Sequence, residues 1–227
     1  MKRAFYLLAL CAIFVVTSCR ESDKSRSQNV SGSGDVECDS SASGNATLNV
    51  EEVASRAESG DAEAQREMAG MYETGAGGYE KDYGKAFGWF LKAAEQGDVK
   101  AMNSVAAYYS SGSGVGKDDK KAFEWWSKAE AKGSAEAMTS LGACYFLALG
   151  VKQNLSEAVR YWRKAAAKGD GLAMYNLGYC MEAGAGVARN RDSAMFFYKK
   201  SAFSGCVMAQ ERIEELNAPQ LGSVFGQ

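Results

Sequence analysis

Apolar residues recur along this chain at two spacings, one short and one long. The short spacing is helical, because Ala64, Met68 and Tyr72 follow each other at four-residue intervals and so share one face of a helix. The long spacing is marked by glycines 36 or 37 residues apart, at Gly60, Gly97, Gly133, Gly169 and Gly205. A repeat of that length is typical of helix pairs that stack on their neighbours. The pattern therefore predicts an all-α solenoid without strands.

Each unit also carries start signals for two helices. The first helices are preceded by residues that commonly cap a helix, namely Asp61, Asp98, Ser134 and Asp170, and the second helices by Asp82, Asp118, Asn154 and Asn190. Asn154 with Glu157 approximates a capping box, in which each residue bonds the backbone of the other. The predicted repeat domain spans residues 50–216, with repeats at 60–96, 97–132, 133–168 and 169–204 and a capping helix at 205–216. Residues 217–227 are predicted to be a flexible tail.

The second helix of every unit is rich in aromatic residues. Aromatic side chains at helical spacing form cores more often than cofactor sites, so we assign these mainly to packing between units: Trp89, Trp125, Trp126, Tyr161, Trp162, Phe197 and Tyr198. Cys144 and Cys180 occupy equivalent positions in neighbouring repeats, too far apart for a disulfide, and are expected to be small buried residues. Cys206 stands at a helix start, and whether it is reactive, paired or inert stays open.

The units share two motifs. The first helices follow LGxxY, as at residues 141–145, and the second helices follow variants of KAxxWYxKAAxxG, as at residues 157–169. In register over residues 50–216, these motifs resemble the Sel1-like repeat, a relative of the tetratricopeptide repeat. The resemblance implies a protein-binding scaffold whose first helices line a concave face. It places these candidate partner-binding residues on that face: Arg66, Lys100, Asn103, Glu136, Thr139, Leu172, Tyr175 and Tyr179.

The tyrosines are the most distinctive members of that set. Tyr175 and Tyr179 are neighbours on one helix face, and we expect them to present an aromatic strip beside Leu172. The alternative, in which both rings pack on the next helix and the inner face is merely solvated, stays open at the level of sequence.

The N-terminus has the features of an export signal. Residues 1–18 combine a basic start with an apolar run that is short for a membrane span. The run ends in Val16-Thr17-Ser18-Cys19, which resembles a bacterial lipobox and implies that Cys19 is lipidated; an ordinary secretory signal with Cys19 as a bystander is the alternative. Residues 19–49 are rich in Ser and Gly and predict a disordered tether. We expect a lipid-anchored protein of the bacterial cell envelope, on the periplasmic face of the outer membrane or on the cell surface.

Composition excludes several classes of function. Histidine is absent, which removes His-dependent catalysis and every His-containing zinc site. The chain has 26 basic and 28 acidic residues, and loss of Lys2 and Arg3 with the signal leaves 24 minus 28, or minus four. That balance provides no basic stripe for nucleic acid. We therefore predict no cofactor, no metal and no nucleic-acid partner, and we expect a monomer.

Three functions remain in competition. The leading prediction is a non-enzymatic adaptor, anchored to the membrane, that binds a peptide or protein. The second follows from cysteine-rich Sel1-like proteins of the Helicobacter type, which are linked to β-lactam binding and hydrolysis. This chain departs from them, because it has Ala93-Ala94 and equivalents where their repeats carry a cysteine pair, and it lacks the motifs of serine β-lactamases. The third is a structural spacer in the envelope.

Overall fold

The computed structural model describes residues 42–218, with side chains from residue 49 onward. Within that range there are ten helices and no strand. The helices are α1 (Ala42–Glu58), α2 (Ala62–Thr74), α3 (Tyr83–Glu95), α4 (Val99–Ser111), α5 (Asp119–Ala131), α6 (Ala135–Leu147), α7 (Leu155–Ala167), α8 (Gly171–Ala183), α9 (Arg191–Phe203) and α10 (Val207–Asn217). The predicted all-α fold is confirmed for this part of the chain. The predicted signal peptide, Cys19, Cys38 and the end of the tail lie outside the described residues.

The described helices belong to two compact units, one ending at Gly133 and the other beginning at Ser134. In each unit the helices pack mainly on their neighbours in the chain, as a helix-pair repeat requires. In the first unit, α1 buries Val53 and Ala57 against Ala64 and Met68 of α2. The repeat domain was predicted to begin at residue 50, but α1 begins eight residues earlier, at Ala42. Residues 42–49, which the sequence assigned to the disordered tether, are therefore helical here.

All eight predicted N-caps are present. The cap side chain accepts a hydrogen bond from a backbone N–H two or three residues on, as Asp98 does from Ala101 at 2.7 Å. The capping box at Asn154 is only half formed, because the Asn154 N–H donates to the Tyr145 carbonyl at 2.9 Å and Glu157 pairs with Arg160 Nε at 2.8 Å. The same backbone bond, from the cap of the second helix to the first helix, recurs in the other repeats: Asp82 to Tyr72, Asp118 to Tyr109 and Asn190 to Met181.

One row of aromatic residues forms the core, as predicted. Trp126, Trp162 and Tyr198 are buried, with 7%, 4% and 0% of their surfaces exposed. Trp162 lies against Gly142, where an added Cβ would be 2.4 Å from the indole nitrogen. The indole N–H donates to the Thr139 carbonyl at 3.0 Å, which fixes the ring at this distance. The small residue of the LGxxY motif is therefore required by the aromatic residue that covers it.

A second row of aromatic residues has a role beyond packing. Trp89, Trp125 and Tyr161 are half-buried, and the lysine three residues later lies over each ring. The distances from the lysine nitrogen to the ring centroid are 3.9 Å for Lys92, 3.9 Å for Lys128 and 5.4 Å for Lys164. These lysines therefore stabilise the surface of the first three repeats through cation–π contacts, in addition to favouring the negative end of the helix dipole.

The buried cysteines agree with expectation. Cys144 and Cys180 are 1% and 0% exposed, and burial raises the pKa of the Cys180 thiol to about 12. Cys206 is 7% exposed at the N-cap of α10, where its side chain makes no capping hydrogen bond. These three thiols are therefore in the protein interior, which is the environment of a small apolar side chain.

We expect Ala148→Gly to stabilise the second unit by about 1 kcal/mol. Ala148 follows α6 with φ at 60°, in the left-handed region. The first helices of the other repeats end with a glycine at this position, namely Gly75, Gly112 and Gly184. The substitution removes the steric penalty of a Cβ in that conformation. Urea unfolding followed by circular dichroism measures the gain, and Gly184→Ala is the reciprocal control, expected to lose a similar amount. Equal stabilities for Ala148→Gly and the wild type would contradict this account.

Candidate functional site

Two tyrosines and a phenylalanine lie together on the first helices of the second unit. Tyr175 and Tyr179, one turn apart on α8, are both half-buried. The Tyr179 ring packs edge-on against Phe146 of α6, with centroids 6.3 Å apart, and the Tyr175 ring is 5.6 Å from Tyr198 of α9. Burial raises the pKa of the Tyr179 hydroxyl, so that group stays neutral and available for hydrogen bonding. The Tyr175 ring therefore packs on the next helix, whereas the Tyr179 ring packs on an earlier first helix, and both rings stay partly accessible. That this strip binds a partner stays a prediction.

The other candidates in this unit differ in accessibility. Leu172 is half-buried near the start of α8, and Glu136 is exposed on α6. Thr139 is 5% exposed, its hydroxyl donates to the Ala135 carbonyl at 3.2 Å, and its own carbonyl accepts from Trp162. Thr139 therefore supports the core position of Trp162 and offers little surface to a partner.

The candidates of the first unit have a different chemistry. Arg66 lies between two carboxylates, with 3.3 Å from its Nε to Asp98 and 3.0 Å from Nη2 to Glu63. Lys100 is exposed, whereas Asn103 is 5% exposed. The first helices of this unit thus present mixed charge instead of aromatic rings. Of the eight residues selected from the sequence, Asn103 and Thr139 are the two that the structure places in the interior.

An ion-pair network beside the tyrosines was not predicted from the sequence. Glu182 at the end of α8 accepts hydrogen bonds from the Tyr198 hydroxyl at 2.9 Å, from Arg212 Nε at 3.1 Å and from Arg212 Nη2. Burial acts against the charged carboxylate, but these hydrogen bonds outweigh it and hold the pKa of Glu182 below its ordinary value. The network joins α8, α9 and α10, so it fixes the capping helix to the last repeat. Arg212 was missed because its partner is 30 residues away.

No helix within residues 42–218 combines the length and the apolar character that a transmembrane helix needs.

The fold and the candidate face together define a helix-pair repeat protein, an α-solenoid whose units are built on one 36-residue plan. The profile of the Sel1 repeat matches residues 62–98, 99–134, 135–170 and 171–205. This chain therefore belongs to the Sel1 repeat family. Proteins with Sel1 repeats generally mediate protein–protein interaction. Comparison with curated protein sequences gives no match.

Solved structures give the same assignment. A Sel1 repeat protein from Oxalobacter formigenes is 32% identical, with a TM-score of 0.73 over 75% of this chain and 67% of its own. A protective antigen of uropathogenic Escherichia coli strains, described as displaying an SLR fold, is 30% identical, with a TM-score of 0.66. It covers 75% of this chain, which spans only 36% of the antigen. An immunity protein from Pseudomonas aeruginosa is 25% identical over 72% of this chain and 60% of its own, with a TM-score of 0.50.

Proposed function

We propose that this chain is a lipid-anchored adaptor of the bacterial cell envelope, without catalytic activity, that binds a peptide or protein on the first helices of its repeats. The repeat family supports a protein partner, and the sequence at Val16 to Cys19 supports the anchor. The observation that carries the binding site is the half-buried aromatic strip of Tyr175 and Tyr179.

The strip has the properties of a binding hot spot. Tyrosine contributes a large, rigid contact area together with a hydroxyl that can bond a peptide backbone. Phe146 and Tyr198 pack behind the rings of Tyr179 and Tyr175, so little side-chain freedom remains to be lost on binding. Leu172 extends the apolar surface toward the start of α8. This surface fits a peptide segment with apolar side chains and free backbone hydrogen-bonding groups.

We expect the double substitution of Tyr175→Ala and Tyr179→Ala to reduce partner recovery at least tenfold in a cross-linked pull-down from intact cells, since hot-spot residues each contribute about 2 kcal/mol or more. Tyr161→Ala is the matched control, because Tyr161 is also half-buried and stacked on a second ring, Tyr145 at 5.6 Å, but lies on a second helix. Circular dichroism of both proteins reports folding. Unchanged recovery in the double variant, or equal loss in the control, would remove this face as the site.

The anchor has its own test. We expect Cys19→Ser to leave either an unprocessed precursor or a soluble exported form, because serine lacks the thiol that receives the lipid. Fractionation of cells into membrane and soluble material, with a mass measurement of the N-terminus, measures this. A Cys19→Ser protein that still fractionates with membranes and is still cut before residue 19 would show that Cys19 is a bystander of an ordinary signal.

A further inference from the structure

The last repeat has an aromatic and basic surface that the partner-binding face does not use. Phe196 and Phe203, two turns apart on α9, are 53% and 95% exposed. Between them lie Lys199 and Lys200, both exposed, and the Lys200 nitrogen is 4.7 Å from the centre of the Phe196 ring. These four residues border a shallow, open pocket of about 420 Å³, completed by Met174 of α8 and by Ser204. We call the four α9 residues the α9 patch.

The other repeats show that the fold does not require these phenylalanines. The four repeats have the same sequence pattern, so residues at equivalent positions can be compared directly. At the position of Phe196 the other repeats have Gly88, Glu124 and Arg160, and at the position of Phe203 they have Glu95, Ala131 and Ala167. Three copies therefore form the same helix with polar or small residues at both positions. Two large apolar side chains left in water indicate a binding role for the patch.

The charges on the second helices of this unit indicate an anionic partner. Five exposed cationic side chains lie near the ends of α7 and α9. They are Arg163, Lys164 and Lys168 at the end of α7, and Lys199 and Lys200 at the end of α9. Between residues 160 and 168 and between 196 and 203 there is no acidic residue. The corresponding parts of the first unit mix both signs, with Glu95, Glu124 and Glu130 beside lysines. The concentration of positive charge is thus confined to the unit that exposes the phenylalanines.

We propose that the α9 patch docks onto a membrane surface rich in anionic phospholipid. Phenylalanine side chains that protrude beside lysines are suited to the boundary between headgroups and acyl chains, where the rings enter the apolar layer and the ammonium groups meet phosphates. An acidic peptide is the competing partner, but the pocket is shallow and open and Phe203 is 95% exposed, so an incoming side chain would be poorly enclosed. The docking goes beyond the adaptor role and would hold the last repeat at the bilayer.

The test uses the full chain with the photoreactive residue p-benzoylphenylalanine at position 203, reconstituted into vesicles of phosphatidylethanolamine with phosphatidylglycerol. We expect lipid adducts on the peptide that contains residue 203. The yield should fall about thirtyfold or more in vesicles of phosphatidylcholine alone, since each of the two patch lysines changes binding to an anionic surface by about fivefold. The matched control carries the same probe at position 131, the equivalent exposed residue of the second repeat, and should give few lipid adducts.

Charge variants sharpen the result. Lys199→Glu with Lys200→Glu should lower the adduct yield by about thirtyfold or more, because loss of two lysines alone gives that factor and the glutamates add repulsion. Lys120→Glu with Lys121→Glu, the same charge change on exposed residues elsewhere, should leave the yield unchanged. Vesicle flotation separates this proposal from the lipid anchor. A chain that floats with both kinds of vesicle but gives only protein adducts, or none, at position 203 overturns the docking surface and leaves the anchor intact. A chain that floats only with anionic vesicles and gives lipid adducts supports the docking surface without the anchor.

Discussion

Replacing Gly142 with alanine is expected to lower the free energy of unfolding by about 2 kcal/mol. The added Cβ would lie 2.4 Å from the indole nitrogen and 2.6 Å from Cδ1 of Trp162. The Trp162 ring cannot easily move away, because its N–H donates a hydrogen bond to the Thr139 carbonyl. The Phe146 ring also packs against it, with ring centroids 5.5 Å apart. Overpacking and a weakened buried hydrogen bond therefore exceed the benefit of about 1 kcal/mol that alanine gives a helix over glycine. Urea unfolding followed by circular dichroism measures the loss.

Two further variants test whether the clash with Trp162 causes this loss of stability. Gly70→Ala places the same substitution inside α2, where no heavy atom lies within 4 Å of the new Cβ, and should be neutral or stabilising. Gly142→Ala combined with Trp162→Leu should be less destabilised than the two single losses added together, since the smaller side chain removes the clash. Additive losses in the double variant would mean that the indole is not the obstacle.

Replacing Arg212 with alanine is expected to lower the free energy of unfolding by about 1–2 kcal/mol. The substitution leaves the Glu182 carboxylate, whose side chain is 19% exposed, with the Tyr198 hydroxyl as its remaining donor among the three hydrogen bonds described. Arg212 is itself one third exposed, so solvent screening keeps the loss below that of a fully buried pair. Arg56→Ala is the control, because the pair of Arg56 with Asp61 is exposed on both sides and should contribute little.

The same carboxylate makes part of the stability depend on pH. Because the pKa of Glu182 is lower in the folded protein than the ordinary value of about 4.3, its contribution is present above that pH and is lost as the pH falls further. The difference in unfolding free energy between the wild type and Glu182→Gln should therefore be largest near neutral pH and should shrink below pH about 4. Urea unfolding of both proteins near neutral pH and below pH about 4 measures this difference in unfolding free energy. A difference that is independent of pH would indicate that Glu182 acts through shape and not through charge.

Much of the fold follows from local sequence signals. A capping side chain at Asp98 or Asn154 bonds backbone groups only a few residues away, and the glycine at residue 112 supplies the left-handed conformation that ends α4. Such local preferences do not depend on the rest of the molecule, so the helix boundaries were predictable. The burial of Trp162 followed from its repetition at equivalent positions, since a repeated aromatic residue must pack on the neighbouring element.

The candidate site was less predictable, because its properties depend on contacts between distant residues. The sequence placed Thr139 on the binding face, but the close approach of Trp162 to Gly142 puts it in the interior. The exposure of Phe203 also had no sequence signal by itself, since an apolar residue near a helix end is usually packed. The exposure of Phe203 is visible only in the folded structure, where 95% of its surface is accessible.

The packing of each helix on its chain neighbours has a consequence for how the protein folds. The Tyr108 hydroxyl donates to Glu73 across 35 residues, about one repeat length, and the backbone bond from Asp118 to Tyr109 spans only nine. Proteins whose contacts are this local fold on the order of microseconds to milliseconds, because little loop entropy is lost before contacts form. Each helix pair therefore needs only its neighbour in the chain, and not the complete array, to reach its final conformation.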